Sequence, residues 1–165
     1  TANHHRYSSK ARNAGCIACS PGTVAIGQGK ATCDPCDAGH VSSPQGDSCP
    51  ECPKGWYSGK ASATCLPCPV GRYTSHPGLG DCTLCPAGSY VTANATACVE
   101  CAPGTVSKAG SMSCSTCESG SVPSLANDAC VDCGPGSYAN VTSCESCASG
   151  RYVSTPKGLW CCTNY

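Results

Sequence analysis

A Cys-x-x-Cys pair recurs nine times along the 165 residues, at Cys16/Cys19, Cys33/Cys36, Cys49/Cys52, Cys65/Cys68, Cys82/Cys85, Cys98/Cys101, Cys114/Cys117, Cys130/Cys133 and Cys144/Cys147, and a vicinal pair, Cys161/Cys162, follows. Successive openings lie 17, 16, 16, 17, 16, 16, 16, 14 and 17 residues apart. So regular a period marks a repeat protein. Repeats build surfaces and extended arrays more readily than one deep catalytic pocket.

Twenty cysteines in a chain this short imply a disulfide scaffold. Such a scaffold belongs to an oxidising compartment, so the expected location is extracellular or at the cell surface. Apolar burial cannot substitute for the bridges. Leu, Ile, Val and Phe number 5, 2, 10 and 0, too few for a conventional core. One large apolar side chain per repeat contributes roughly 2–3 kcal/mol. One bridge closing a loop of similar length contributes about 3 kcal/mol. Cross-links therefore matter at least as much as packing.

The net charge is zero and the basic residues are scattered. No stripe fits nucleic acid or an anionic membrane surface. No apolar stretch is long enough to span a bilayer. No signal-peptide pattern or initiator Met opens the sequence, so the chain reads as a mature secreted product or a segment of something longer. Residues 1–15 read as a polar arm or linker, 16–162 as nine tandem cysteine-rich repeats and 163–165 as a tail.

Counting from each opening cysteine, Gly stands six residues on in every copy: Gly22, Gly39, Gly55, Gly71, Gly88, Gly104, Gly120, Gly136 and Gly150. A Gly fixed in this way predicts a positive φ, or a backbone too close to a bridge for any Cβ. Eight residues on stands Val or Tyr: Val24, Val41, Tyr57, Tyr73, Tyr90, Val106, Val122, Tyr138 and Tyr152. These are strand formers. The expectation is that each is the one inward side chain of its repeat, packed on the neighbouring disulfide. Pro21, Pro53, Pro69, Pro86, Pro103 and Pro135 precede the Gly and make that segment a turn. Gly, Asn, Ser and Ala gather before the next pair, as at Gly29, Gly46, Gly78, Asn94, Gly110 and Asn127, and predict a second turn at the rim. Helical periodicity is lacking. The fold class is therefore small and disulfide-rich: tandem repeats of about 16 residues, with short β-ribbons and turns, strung into an elongated rod with almost no helix.

Spacing leaves two cysteine pairings open. In a uniform ladder, the second Cys of each pair bonds the first Cys of the next, from Cys19–Cys33 to Cys147–Cys161. In a modular scheme, successive pairs cross-bond, as in Cys16–Cys33 with Cys19–Cys36. The loops between pairs run 13, 12, 12, 13, 12, 12, 12, 10 and 13 residues, with no double period. This favours the ladder, which leaves Cys16 and Cys162 to link protomers or further repeats.

Two sequons, Asn94-Ala95-Thr96 and Asn140-Val141-Thr142, fall in the second turn of their repeats, where a glycan faces solvent. Cys-x-x-Cys is also a zinc signature. Zinc knuckles, however, place Gly directly after the second Cys, and only Gly134 does so here. Redox Cys-x-x-Cys sites sit at a helix N-terminus, and nothing here is helical. His4, His5, His40 and His76 lack a fixed partner in the pattern, Asp128 and Asp132 lack a calcium-loop spacing, and Trp56 and Trp160 read as covers for neighbouring bridges. No catalytic set, cofactor or metal is expected.

Repeats such as Cys65-Leu-Pro-Cys68-Pro-Val-Gly71-Arg-Tyr73 and Cys82-Thr-Leu-Cys85-Pro-Ala-Gly88-Ser-Tyr90 resemble the ephrin-receptor-like cysteine-rich repeat, within the growth-factor-receptor cysteine-rich, EGF-like group. Similar repeats occur in receptor ectodomains, protist surface proteins and algal flagellar hairs (mastigonemes). The resemblance implies a fold more than a function. Two functional expectations stand. One is an extracellular structural protein, a glycosylated disulfide-laddered rod that self-associates into a filament or coat. The other is a receptor or adhesin ectodomain fragment that binds a protein ligand through its turn tips.

Overall fold

The structure is a computed structural model that describes residues 6–7, 17–27, 29–153, 157 and 161–163. Among them there is no helix; strands of two to four residues pair into nine two-stranded ribbons. Antiparallel examples are Trp56–Tyr57 with Leu66–Pro67, Ser89–Val91 with Cys98–Glu100, and Ser121–Pro123 with Cys130–Asp132. The arm contributes one strand, Arg6–Tyr7, which pairs antiparallel with Ile17–Ala18. Strands this short follow from the sequence: turn-forming residues flank every Val or Tyr, so no ladder can lengthen.

Nine disulfides join the second Cys of each pair to the first Cys of the next: Cys19–Cys33, Cys36–Cys49, Cys52–Cys65, Cys68–Cys82, Cys85–Cys98, Cys101–Cys114, Cys117–Cys130, Cys133–Cys144 and Cys147–Cys161. The pairing is the uniform ladder. Cys16 lies outside the described residues, and Cys162 is described only through the backbone of the strand Cys162–Thr163.

The turn after each pair is set by its glycine. The Thr23 N–H donates to the Ser20 carbonyl at 3.0 Å, and the same closure recurs from Arg72 to Pro69 and from Ser121 to Glu118. Gly is the third residue of this turn, with φ between +76° and +87° in all nine copies. That geometry is a type II turn, which needs Gly at its third position and suits the Pro found before it. The N–H of the next pair's second Cys then donates to the carbonyl of the same Gly, as Cys36 does to Gly22 at 3.0 Å and Cys133 to Gly120 at 2.9 Å.

The chain forms two compact units, Thr1–Thr83 with Asn94–Ala97, and Leu84–Ala93 with Cys98–Tyr165. Inside the first, a hydrogen-bond circuit stacks successive repeats. The Gly39 N–H donates to the Ser58 carbonyl (2.7 Å), the Ala25 N–H to Gly46 (2.9 Å) and the Ala61 N–H to Cys36 (2.8 Å). Inside the second, the corresponding bonds run from Gly88 to Ser107 (2.9 Å), Ser107 to Asn127 (3.0 Å) and Gly110 to Cys85 (2.8 Å).

The inward residue differs from the expected one. Val24, Val106 and Val122 are buried, but Tyr57, Tyr73, Tyr90 and Tyr138 are only half-buried and Tyr152 is exposed. In six of the nine repeats the more deeply buried side chain stands one position later: Ala25, Ser58, Thr74, Val91, Ser107 and Val153, all at 7% exposure or less. The reason is the stacking circuit. The backbone at this position bonds the next repeat through its N–H or the preceding one through its carbonyl, so a neighbour approaches too closely for an aromatic ring. Small and β-branched side chains fit, and their hydroxyls find partners: Ser58 donates to the His40 carbonyl at 3.0 Å and Ser107 to the Ser89 carbonyl at 2.7 Å. Buried cysteines Cys36, Cys52, Cys82, Cys85 and Cys133 complete the core.

Candidate functional site: seats, tips and exposed hairpin faces

Eight of the nine repeats, all but the short one at 130–143, carry a second left-handed residue at the tip of the second turn. Gly29, Gly46, Gly78 and Gly110 hold φ of +72° to +75°, and Ala61, Ala95, Asn127 and Lys157 hold +52° to +65°. The tip of one repeat sits on the type II turn of the repeat two places earlier. A Cβ built on Gly22 would lie 1.9 Å from the Ala61 carbonyl oxygen, and one on Gly39 would lie 2.0 Å from that of Gly78. In the second unit, Gly88 faces Asn127 Cβ at 2.9 Å and Gly120 faces Lys157 Cα at 2.3 Å. The expected positive φ holds in all nine copies, and at these seats the glycine also clears space for a neighbouring repeat rather than for a bridge. Sequence reasoning missed this next-but-one contact. The recurring glycine, and a spacing of 37 to 39 residues between these partners, were the available signals.

The two sequons present their asparagines differently. Asn94 is exposed at a tip, and the Thr96 hydroxyl donates to its Oδ1 at 2.8 Å. Asn140 is exposed at the end of the strand Ser137–Asn140, beside a tight two-residue loop that closes the shortest repeat. Its Nδ2 donates to Glu145 Oε1, while the Tyr138 hydroxyl donates to Glu145 Oε2 at 2.8 Å. These two donors, Asn140 first, hold the Glu145 carboxyl below the ordinary range, and the same carboxylate raises the Tyr138 phenol.

One ionic cluster ties a tip to its surroundings. Lys157 Nζ lies 3.4 Å from Glu118 Oε2 and 3.5 Å from Asp132 Oδ1, and the Ser121 hydroxyl donates to the same Asp132 oxygen at 2.6 Å. The Glu118 hydrogen bond is the main reason the Lys157 ammonium is raised. The Ser121 hydroxyl is the main reason the Asp132 carboxyl is lowered. Lys157, Glu118 and Asp132 are exposed and screened by solvent, while Ser121 is buried beneath them.

Apolar residues between paired cysteines face solvent: Ile17, Leu66, Leu84, Val99 and Val131. Several stand opposite an aromatic or Val across the ribbon, as Leu66 does to Tyr57, Val99 to Tyr90 and Val131 to Val122. Such cross-strand pairs stabilise each ribbon by roughly 0.2–1 kcal/mol.

The remaining candidates are dispersed. His40 Nε2 approaches Glu51 Oε1 at 3.9 Å, and His76 Nδ1 meets the Ser75 hydroxyl at 2.9 Å. His4, His5 and Trp160 lie outside the described residues. Trp56 is exposed opposite Pro67. Asp128 accepts the Ser124 hydroxyl at 2.6 Å. Eighteen cysteine sulfurs are taken up in the nine bridges and are not thiolate ligands. Grooves are open and shallow; one is lined by Pro103, Gly104, Pro123, Leu125, Asn127 and Thr142.

No curated protein matches the chain. A stretch covering the half-buried tyrosines Tyr57, Tyr73 and Tyr90 does match a family model: residues 55–96 correspond to the family described as tyrosine-protein kinase ephrin type A/B receptor-like, a cysteine-rich domain.

Proposed function

We propose that this is an extracellular structural protein: a disulfide-laddered, glycosylated repeat chain that self-associates into a filament or a surface coat. The observation that carries the reading is the recurrence of one joint. The type II turn keeps the same φ in all nine repeats, and the same seat-and-tip contact repeats within each unit. A chain that repeats one joint between neighbours, and offers open grooves, fits load-bearing better than catalysis. Asn94, exposed at a tip, and Asn140, exposed at a strand end, are the proposed N-glycan sites. No cofactor enters this role. Electron microscopy of the oxidised, purified chain tests it: fibres or sheets with a regular repeat support the reading, and monodisperse single particles at all concentrations oppose it.

A second reading has its own support. The matched segment 55–96 belongs to a receptor-type cysteine-rich family, and it carries the exposed Trp56 and the Tyr57/Leu66 pair. A receptor or adhesin ectodomain would bind a protein ligand through such a face. Loss of ligand capture on Trp56→Ala and Leu66→Ser, in a monodisperse sample, would favour it.

A further inference from the structure

The two sequons are held in unlike turns. Asn140 pairs with Ser143 at the end of the ladder that runs from Ser137↔Ser146, so Val141 and Thr142 are the whole of the loop. Asn140 Nδ2 donates to Glu145 Oε1, and the Tyr138 hydroxyl fixes the same carboxylate through its other oxygen at 2.8 Å. Val141, the middle residue of the sequon, lies over Gly104, where a Cβ would meet Val141 Cγ1 at 3.2 Å and its carbonyl oxygen at 3.3 Å. Directly after Ser143, Cys144 is bonded to Cys133. The sequence separation of 11 is the shortest of the nine bridges, so this loop is the cheapest of them to close.

Asn94-Ala95-Thr96 lies in the wider loop between the paired residues Val91 and Cys98. Its backbone is docked too, with the Ala95 carbonyl accepting the Thr74 N–H at 3.0 Å and the Asn94 carbonyl over Gly55. The Thr96 hydroxyl and the Asn94 amide already face each other, however, at 2.8 Å.

We propose that Asn140 is a glycan site gated by oxidation: it takes sugar only before the Cys133–Cys144 bridge closes its hairpin, whereas Asn94 does not depend on that bridge. The inference rests on the glycosylated reading above and adds the order of events. In the transfer, the asparagine Nδ2 bonds to C1 of a sugar carried on a lipid pyrophosphate. The bond from C1 to the pyrophosphate oxygen breaks, the lipid pyrophosphate leaves, and Nδ2 gives up one proton. In the folded hairpin the Asn140 nitrogen is held on Glu145, and a two-residue turn cannot straighten to present that amide and the Thr142 hydroxyl together. Only chains with the hairpin open are competent, and the bridge depletes them by tying the strands at Cys144.

The test is site-by-site glycan occupancy, read by glycopeptide mass spectrometry on the full chain made in a eukaryotic secretory pathway. Wild type is compared with Cys133→Ser/Cys144→Ser, and with Cys117→Ser/Cys130→Ser, which removes the neighbouring bridge and spares the one at the hairpin. In wild type, Asn140 should be less occupied than Asn94. Its occupancy should rise at least about twofold in the first variant and stay unchanged in the second, with Asn94 constant throughout. No rise in the first variant, or an equal rise in both, overturns the gate, the latter by tracing the effect to general misfolding. Full occupancy of both asparagines in wild type overturns the gate while leaving the glycosylated reading standing. Absence of glycan from both asparagines in every chain overturns both.

Discussion

At Gly39 two demands coincide: φ is +84°, and a Cβ would lie 2.0 Å from the Gly78 carbonyl oxygen. Left-handed geometry alone costs an L-residue roughly 1–2 kcal/mol, and an unrelieved backbone collision adds to it. Gly39→Ala should therefore cost about 3 kcal/mol or more. Gly27→Ala, at φ +90° with open space around it, should cost only about 1 kcal/mol. Denaturant unfolding with the bridges intact reads the difference; equal losses would show that conformation, not proximity, fixes the residue. Tip residues invert the sign. Ala61 is exposed at φ +58°, so Ala61→Gly should stabilise by up to about 1 kcal/mol, net of the extra freedom Gly gives the unfolded chain. Charge acts at the same scale. Asp132 has a lowered pKa in the fold, so its contribution is present above the unfolded value and fades as pH falls through the folded one. Lys157 has a raised pKa, so its contribution is present below the unfolded value and fades as pH climbs through the folded one. Exchange protection of the Lys157 amide, which donates to the Cys133 carbonyl, should therefore be greatest at intermediate pH and decline at both extremes.

Each hairpin is a poor element by itself, with two to four residues per strand and few large apolar side chains. A bridge and two neighbouring repeats hold it in place. Replacing both cysteines of one bridge, Cys52→Ser with Cys65→Ser, should cost about 3 kcal/mol. Because nearest-neighbour terms dominate a repeat stack, exchange should accelerate chiefly around residues 52–78 and much less in the hairpin Ser137–Ser146. Uniform acceleration would contradict this local account. Much of the element was legible in the sequence, since Gly and Pro placed the first turn and Val or Tyr marked the strand. The deeply buried residue was not legible. Ala25, Ser58, Thr74 and Ser107 look like loop residues, and only the proximity of the next repeat's backbone makes small size necessary there. Sidedness within a two-residue strand carries no periodic signal, so Tyr57 and Tyr90 read as core although they are half-buried. The strand Arg6–Tyr7 was hidden for another reason: it lies before the first cysteine pair, where the repeat has no marker.

At the scale of the whole chain, sulfur cross-links replace the oil core. Seventeen residues of Leu, Ile and Val cannot order 165 residues, so excess reductant should collapse the fold, with amide protection lost in both compact units. The seat-and-tip joints were invisible in the sequence because each spans two repeats and is made by backbone atoms. The recurring glycine and the 37-to-39-residue spacing of the partners hint at them only once the structure is known. The most direct test of the account is disulfide mapping by peptide mass spectrometry under non-reducing conditions. The expected links join each pair to the next through one bridge, as in Cys36–Cys49, Cys52–Cys65 and Cys101–Cys114. Crossed links such as Cys16–Cys33 with Cys19–Cys36 would contradict it, because they would break the single ladder into separate modules.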